Sequence, residues 1–189
     1  MTKSELRKIY KEKRKALSIA EINRFNDLIL INFQKLPLPF IQCVHTYLAS
    51  SKLSEVDSDP LVRYLNFINP ELMIAIPKII PGSNSMVHYY WVEETELIMN
   101  HLGIEEPVVG EIISPTKIDL ILIPLLCFNN QGHRVGYGKG FYDQFLKECR
   151  EDVIKVGLSF FEAIDQISDV NSLDIAMDYC VTPNQVYQF

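Results

Sequence analysis

Over the first 35 residues apolar positions recur at helical spacing. Leu6, Ile9, Tyr10 and Leu17 fall near one face of a predicted helix over 3–17, and Thr2-x-x-Glu5 at its start has the form of a capping box. A second helix is predicted over 19–35, opened by Ser18-x-x-Glu21 and ended by the "PLP" at 37–39. Beyond it the pattern changes to short β-rich apolar runs. "IQCVHTYLA" (41–49) predicts a buried strand, the polar "SSKLSEVDSD" a loop, and "PLVRYLNFIN", opened by Pro60, a helix. "LMIAIP" (72–77) and "SMVHYYWV" (85–92) predict strands on either side of a "PGSN" turn, and "LGIEEPVVG" (102–110) predicts a loop. "DLILIPLL" (119–126) predicts another buried strand, then a Gly-rich loop leads into a helix ending near 150. Strands are predicted again at "VIKVGLSF" (153–160) and "YCVT" (179–182). Strands alternating with helices predict a three-layer α/β/α sandwich around a mostly parallel, mixed sheet. No repeat or linker divides the 189 residues, so one domain is expected over 1–189.

Composition narrows the class. About half the residues are apolar, as in a globular domain, and the longest apolar run, "IDLILIPLLCF", is too short to span a bilayer and carries Asp119. The first residues hold no apolar core of a secretory signal, so a cytoplasmic protein that does not engage the membrane is expected. Cys43, Cys127, Cys149 and Cys180 form no CxxC pair, and His45, His88, His101 and His133 form no HxxxH pair. Buried free thiols are expected, and a histidine metal site is not. The net charge is −6, yet seven of the 18 Lys and Arg lie in residues 1–15, against two of the 24 Asp and Glu. That asymmetry points either to an anionic partner or to a solvated helix face.

The densest candidate chemistry is "NNQGHRVGYGKGFYDQFL" (129–146), which follows a buried strand and precedes a helix. Ligands of α/β sheets bind beyond the carboxyl ends of strands, and helix N-termini offer unpaired N–H groups to phosphate. Gly136, Gly138 and Gly140 can take positive φ and let backbone amides approach a ligand, while Arg134 and Lys139 add charge. Asp143, in the first helical turn, is placed to hold a Mg²⁺ that accompanies phosphates. Glycines alternating with polar residues also mark a plain tight turn, and a first-turn Asp also serves the helix dipole. The stretch is neither GxxxxGK[ST] nor GxGxxG.

"GHRVGYGKGFYD" closely resembles the signature of the 5-formyltetrahydrofolate cyclo-ligases, G-x-R-[LV]-G-x-G-x-G-[FY]-[FY]-D. The resemblance extends through "KSELRKIYKEKR", "YLASSKLSEVDS", "IPKI", "MVHYYW", "GIEEP" and "LDIAMDYCVTP". It implies an ATP- and Mg²⁺-dependent enzyme that phosphorylates the formyl oxygen of 5-formyltetrahydrofolate. Attack by N10 would then close the ring to 5,10-methenyltetrahydrofolate, releasing ADP and phosphate. The same resemblance implies that Arg134, Val135, Gly136, Tyr137, Gly138, Lys139, Gly140, Phe141 and Tyr142 wrap the nucleotide together with Lys3 and Arg7, and that Lys139, Arg134 and Tyr137 are catalytic. Leu48, Glu55 and Met86 would hold the folate, with Tyr137, Gly138, Lys139, Gly140 and Phe141 as a shared wall. Asp143 and Asp174 would hold the metal, with Asp178 as the neighbouring alternative to Asp174. The position before Gly103, often aromatic in the family, is Leu102 here. The expected substrate is 5-formyltetrahydrofolate, with or without a polyglutamate tail, taken by a monomer that binds no nucleic acid. Repulsion among Lys3, Arg7, Arg134 and Lys139 predicts that residues 1–8 and the Gly-rich loop are loose until nucleotide binds.

Two rival functions fit parts of the chain. Another ATP-dependent small-molecule kinase or ligase would keep the Gly-rich loop and use Glu55 for a different substrate. An RNA-binding module led by the basic N-terminal helix conflicts with the acidic net charge and the lack of RNP, KH or zinc-knuckle patterns.

Overall fold

The structure is a computed structural model that describes residues 1–100 and 103–189; His101 and Leu102 lie outside the described residues. The first two helices, α1 (Lys3–Lys15) and α2 (Ile19–Phe33), each begin with the predicted capping box. In both, the Thr2 or Ser18 oxygen accepts from the backbone of the Glu three residues on, and that Glu side chain accepts from the cap backbone. After β1 (Cys43–His45) come α3 (Asp59–Ile68), β2 (Met73–Ile79), β3 (Met86–Tyr90), β4 (Leu97–Met99) and β5 (Glu105–Pro107). Then follow β6 (Leu120–Pro124), β7 (Cys127–Phe128), β8 (Arg134–Val135), α4 (Phe141–Glu148), β9 (Ile154–Leu158), β10 (Tyr179–Val181) and β11 (Val186–Gln188).

Seven strands form one sheet in the order β11-β10-β9-β6-β1-β2-β3. The five central strands are parallel, and β3 and β11 pair antiparallel at the two edges. Side chains alternate across β6 as strand geometry requires. Leu120 and Leu122 join a core with Ile29 and Phe33 of α2 and Leu61 and Leu65 of α3, whereas Ile121 and Ile123 join Phe145 and Leu146 of α4 on the other face. This is the expected mixed α/β/α sandwich.

The chain runs from β1 outward to β2 and β3, then returns to place β6 on the other side of β1. That reversal opens a crevice beyond the carboxyl ends of β1 and β6. α1 packs there, with Leu6 and Tyr10 buried against Leu126, Cys127, Val135 and Ile167.

Several elements differ from the sequence expectation. The strand expected over 41–49 pairs only at Cys43–His45, because Thr46 onward turns into the crevice. β5 lies in the expected 102–110 loop and β8 in the Gly-rich one, while β4, β7 and β11 fall where no element is predicted. They are two- and three-residue strands, too short to show alternation. Among the described residues no helix is long and apolar enough to cross a membrane. Cys43, Cys127 and Cys180 are buried free thiols as expected, and Cys149 is a half-buried one.

Candidate active site

The crevice is a cleft of about 490 Å³, within the usual range for small-molecule sites. Its floor and far wall come from Tyr47 and Leu48 after β1, Pro77 and Ile79 of β2, Met86 of β3, and Glu105 and Glu106 of β5. The near wall is the Gly-rich loop with the start of α4, and α1 closes it with Lys3, Arg7 and Lys11. Of the residues singled out from sequence, Lys3, Arg7, Leu48, Glu55, Met86, Arg134, Gly136–Tyr142, Asp143 and Asp174 all line this one cleft.

Val135 and Asp178, the alternative to Asp174, do not reach the cleft. Val135 was expected among the nucleotide contacts, but its side chain is fully buried against Leu6 and Tyr10 of α1. In a strand the residue after an inward Arg134 must point to the other side. Asp178 sits near the opposite end of the sheet, where its carboxylate accepts from the Lys155 backbone at 2.7 Å and pairs with the Lys155 ammonium at 2.9 Å.

Local backbone shape makes the loop wall. Gly138 and Gly140 have φ of +95° and +74°, a region L-residues avoid; Gly136 does not. Gly140 is the N-cap of α4 and has no side chain to cap it, so that end of α4 opens beside the cleft with unpaired N–H groups. A side chain at Gly138 would stand 3.1 Å from the Arg7 guanidinium, so the glycine also permits close docking of α1.

Two of the cations on the walls, Lys3 and Arg134, are paired with carboxylates. The Lys3 ammonium lies 2.6 and 2.5 Å from the two Asp174 oxygens, and Arg7 Nε donates to the Gly136 carbonyl at 2.9 Å. Arg134 is buried; it donates to Asp143 at 2.6 Å and to the Ile175 carbonyl at 2.6 Å. Burial pushes the Asp174 carboxyl up, but the Lys3 hydrogen bond, the Asn171 amide and the charges of Lys3 and Arg134 outweigh it and hold the pKa below its usual value. Asp174 and Asp143 thus face the charges of Lys3 and Arg134, and α1 docks with that cluster at its start. Lys139 is exposed at the cleft rim.

On the other wall the half-buried Glu55 accepts from the Ser50 amide at 2.9 Å. Burial raises its pKa, opposed by the Ser50 amide, the Tyr137 hydroxyl and the Arg14 charge. Behind α4, His45 Nε2 and His88 Nδ1 lie 3.0 Å apart, both rings buried and His88 stacked on Phe145 at 4.0 Å. Sequence reasoning did not single out Arg14, Glu106 or this histidine pair. Arg14 was legible: Lys3, Arg7 and Arg14 are spaced by four and seven, on one face of a helix. The histidine pair joins two strands, and nothing local signals it.

A parallel α/β sheet with a cation-lined crevice at its reversal point, beside a Gly-rich helix entrance, is the architecture of phosphate-handling enzymes. Comparison with known proteins sharpens this class. A family model described as the 5-formyltetrahydrofolate cyclo-ligase family matches residues 1–183, and the chain belongs to that family. It is 28% identical to 5-formyltetrahydrofolate cyclo-ligase of Mycoplasma pneumoniae over 96% of this chain and 98% of the relative. It is also 28% identical to the Escherichia coli protein of the same name over 71% and 75%. The NMR structure of Aquifex aeolicus 5,10-methenyltetrahydrofolate synthetase superposes with a TM-score of 0.81 at 32% identity, covering 100% of this chain and 93% of that one.

Proposed function

We propose that this chain is a cytoplasmic, monomeric, single-domain enzyme that uses ATP and Mg²⁺ to convert 5-formyltetrahydrofolate, with or without a polyglutamate tail, to 5,10-methenyltetrahydrofolate. The observation that carries the proposal is the cleft itself: an anion-suited loop and a buried-carboxylate wall face each other across one cavity of ligand size. That arrangement can hold a triphosphate against a formyl oxygen, and alignment is the main task in such a transfer.

On this reading Lys3, Arg7 and the loop from Arg134 to Tyr142 hold the nucleotide, with Val135 contributing only backbone and packing. Lys139, exposed at the rim, follows the charge that develops on the transferred group. Arg134 braces Asp143 and Tyr137 braces Glu55. Glu55 accepts from the pterin N–H groups, with Leu48, Met86 and Phe141 packing on the ring. Asp143 and Asp174 supply the hard oxygen donors Mg²⁺ takes alongside phosphate oxygens, and binding the ion would require each carboxylate to share or release its present cation, Arg134 or Lys3. The ion would neutralise charge on the phosphates.

The test is to incubate the protein with ATP, Mg²⁺ and 5-formyltetrahydrofolate and follow the near-ultraviolet absorbance of the methenyl product. Calorimetry on Glu55→Gln should show folate affinity falling by roughly 1.5–3 kcal/mol, the range for hydrogen bonds to charged groups, and ATP affinity changing far less. Equal losses for both ligands would refute the Glu55 assignment.

A further inference from the structure

Arg14 is 2% exposed, at the inner end of α1, and touches three segments of the cleft wall. Its Nη1 donates to the Tyr137 hydroxyl at 2.6 Å and reaches the Leu53 carbonyl at 3.5 Å, and its Nη2 donates to the Leu125 carbonyl. The Gly-rich loop, the turn leading to Glu55 and the end of β6 are thus tied to one guanidinium. A guanidinium only donates, so the Tyr137 oxygen accepts from Arg14 and its own proton is left for another acceptor. Glu55 lines the same cleft as Tyr137, and a hydrogen bond between their side chains is among the causes that shift both groups. The remaining groups around Glu55 leave this place to Tyr137. The Tyr47 hydroxyl donates to the Val56 carbonyl at 2.7 Å, Tyr142 approaches from α4 without a hydrogen-bond partner for its hydroxyl, and the Ser50 amide donates to Glu55 Oε2 at 2.9 Å. The donor direction therefore runs from Arg14 through Tyr137 to Glu55, and such chains strengthen cooperatively in a low-dielectric setting.

We propose that Arg14 is a positioning residue, which by fixing the Tyr137 hydroxyl orients the Glu55 carboxylate and so sets the folate side of the cleft. The proposal rests on the functional reading above for its effect on turnover, but the network itself can be tested without substrate.

The experiment compares Tyr137→Phe, Arg14→Met and the double variant. Tyr137→Phe keeps the ring and removes only the hydroxyl. It should lower kcat/KM for 5-formyltetrahydrofolate by about 10- to 100-fold, as loss of a hydrogen bond to a charged group does. It should also move the acid limb of the pH profile upward by about one unit, because the carboxylate loses a donor. Arg14→Met should shift the same limb, and in the Tyr137→Phe background it should add little. Arg14→Met that lowers the thermal midpoint but leaves the acid limb in place, or adds fully to Tyr137→Phe, would show a purely structural Arg14 and overturn the proposal. A substrate-free arm follows the ¹³C-carboxyl titration of Glu55, assigned with Glu55→Gln. An upward shift in Tyr137→Phe supports the network, and an unmoved titration overturns it even if Arg14→Met does not fold. Absence of methenyl product from the unmodified protein would overturn the folate reading alone and leave this titration to decide the network.

Discussion

Lys3 and Asp174 stand 171 positions apart in the chain, yet the ammonium lies 2.6 and 2.5 Å from the two carboxylate oxygens. The pair fastens the start of α1 to the segment before β10 and closes one side of the cleft. Both side chains are mostly withdrawn from solvent, with exposures of 12% and 16%. Asp174→Asn should therefore lower stability at pH 7 by about 1–3 kcal/mol, between the values for exposed and fully buried pairs. The Asp174 pKa is depressed below 3.8, so its contribution is present above that pH and is lost as the pH falls through the folded value. Urea unfolding of both proteins at pH 7 and pH 3 should show the gap narrowing at the lower pH. An equal gap at both would mean that Asn fails for reasons other than charge.

Lys139 makes no ion pair among the described residues and lines the cleft from its rim. Lys139→Ala should lower kcat at least about 100-fold, the loss seen when a charge-stabilising donor is removed from an active site. The thermal midpoint should move by less than about 2 °C, because exposed side chains without partners contribute little to stability. Near-normal turnover would exclude Lys139 from the chemistry.

Gly138→Ala should disturb both backbone and docking. Alanine at φ +95° costs about 1–2 kcal/mol, and its Cβ would meet the Arg7 guanidinium at 3.1 Å. The expected outcome is a midpoint lower by about 3–6 °C and weaker binding of a non-hydrolysable ATP analogue by calorimetry. Unchanged nucleotide affinity would mean that the loop's path is not what holds the phosphates.

The buried histidine pair predicts acid sensitivity. Burial lowers the His88 pKa from 6.5 to about 4, and burial together with the His88 neighbour pushes His45 well below its usual value. A histidine held neutral contributes stability that is complete above its unfolded pKa, and lost as the pH falls from 6.5 towards 4. Unfolding free energy should decline by up to about 3 kcal/mol across that window. His88→Phe should flatten that slope, and an unchanged slope would assign the acid sensitivity to other groups.

Most of the scaffold was legible because its signals are local. The capping boxes of α1 and α2 need four residues each, and the apolar run at Leu120–Pro124 announces a central strand without reference to anything else. The strands that escaped prediction, β4, β5, β7, β8 and β11, have two or three residues and exist through their partners. Val135 shows the limit within a motif. It lies between two cleft residues, but strand alternation turns its side chain under α1.

The sequence by itself determined the α/β class, the Gly-rich helix entrance, the basic face of α1 and the family signature, because periodicity, capping and turn chemistry act over a few residues. Only the tertiary structure decided which carboxylate meets which cation: Asp174 meets Lys3, Asp143 meets Arg134, and Asp178 is drawn away to Lys155. It also decided that Arg14 meets the Tyr137 hydroxyl and that two distant histidines share a buried contact. Such pairings depend on strand order and helix docking, which bring together residues far apart in sequence. Charge and hydropathy along the chain carry no record of those distances.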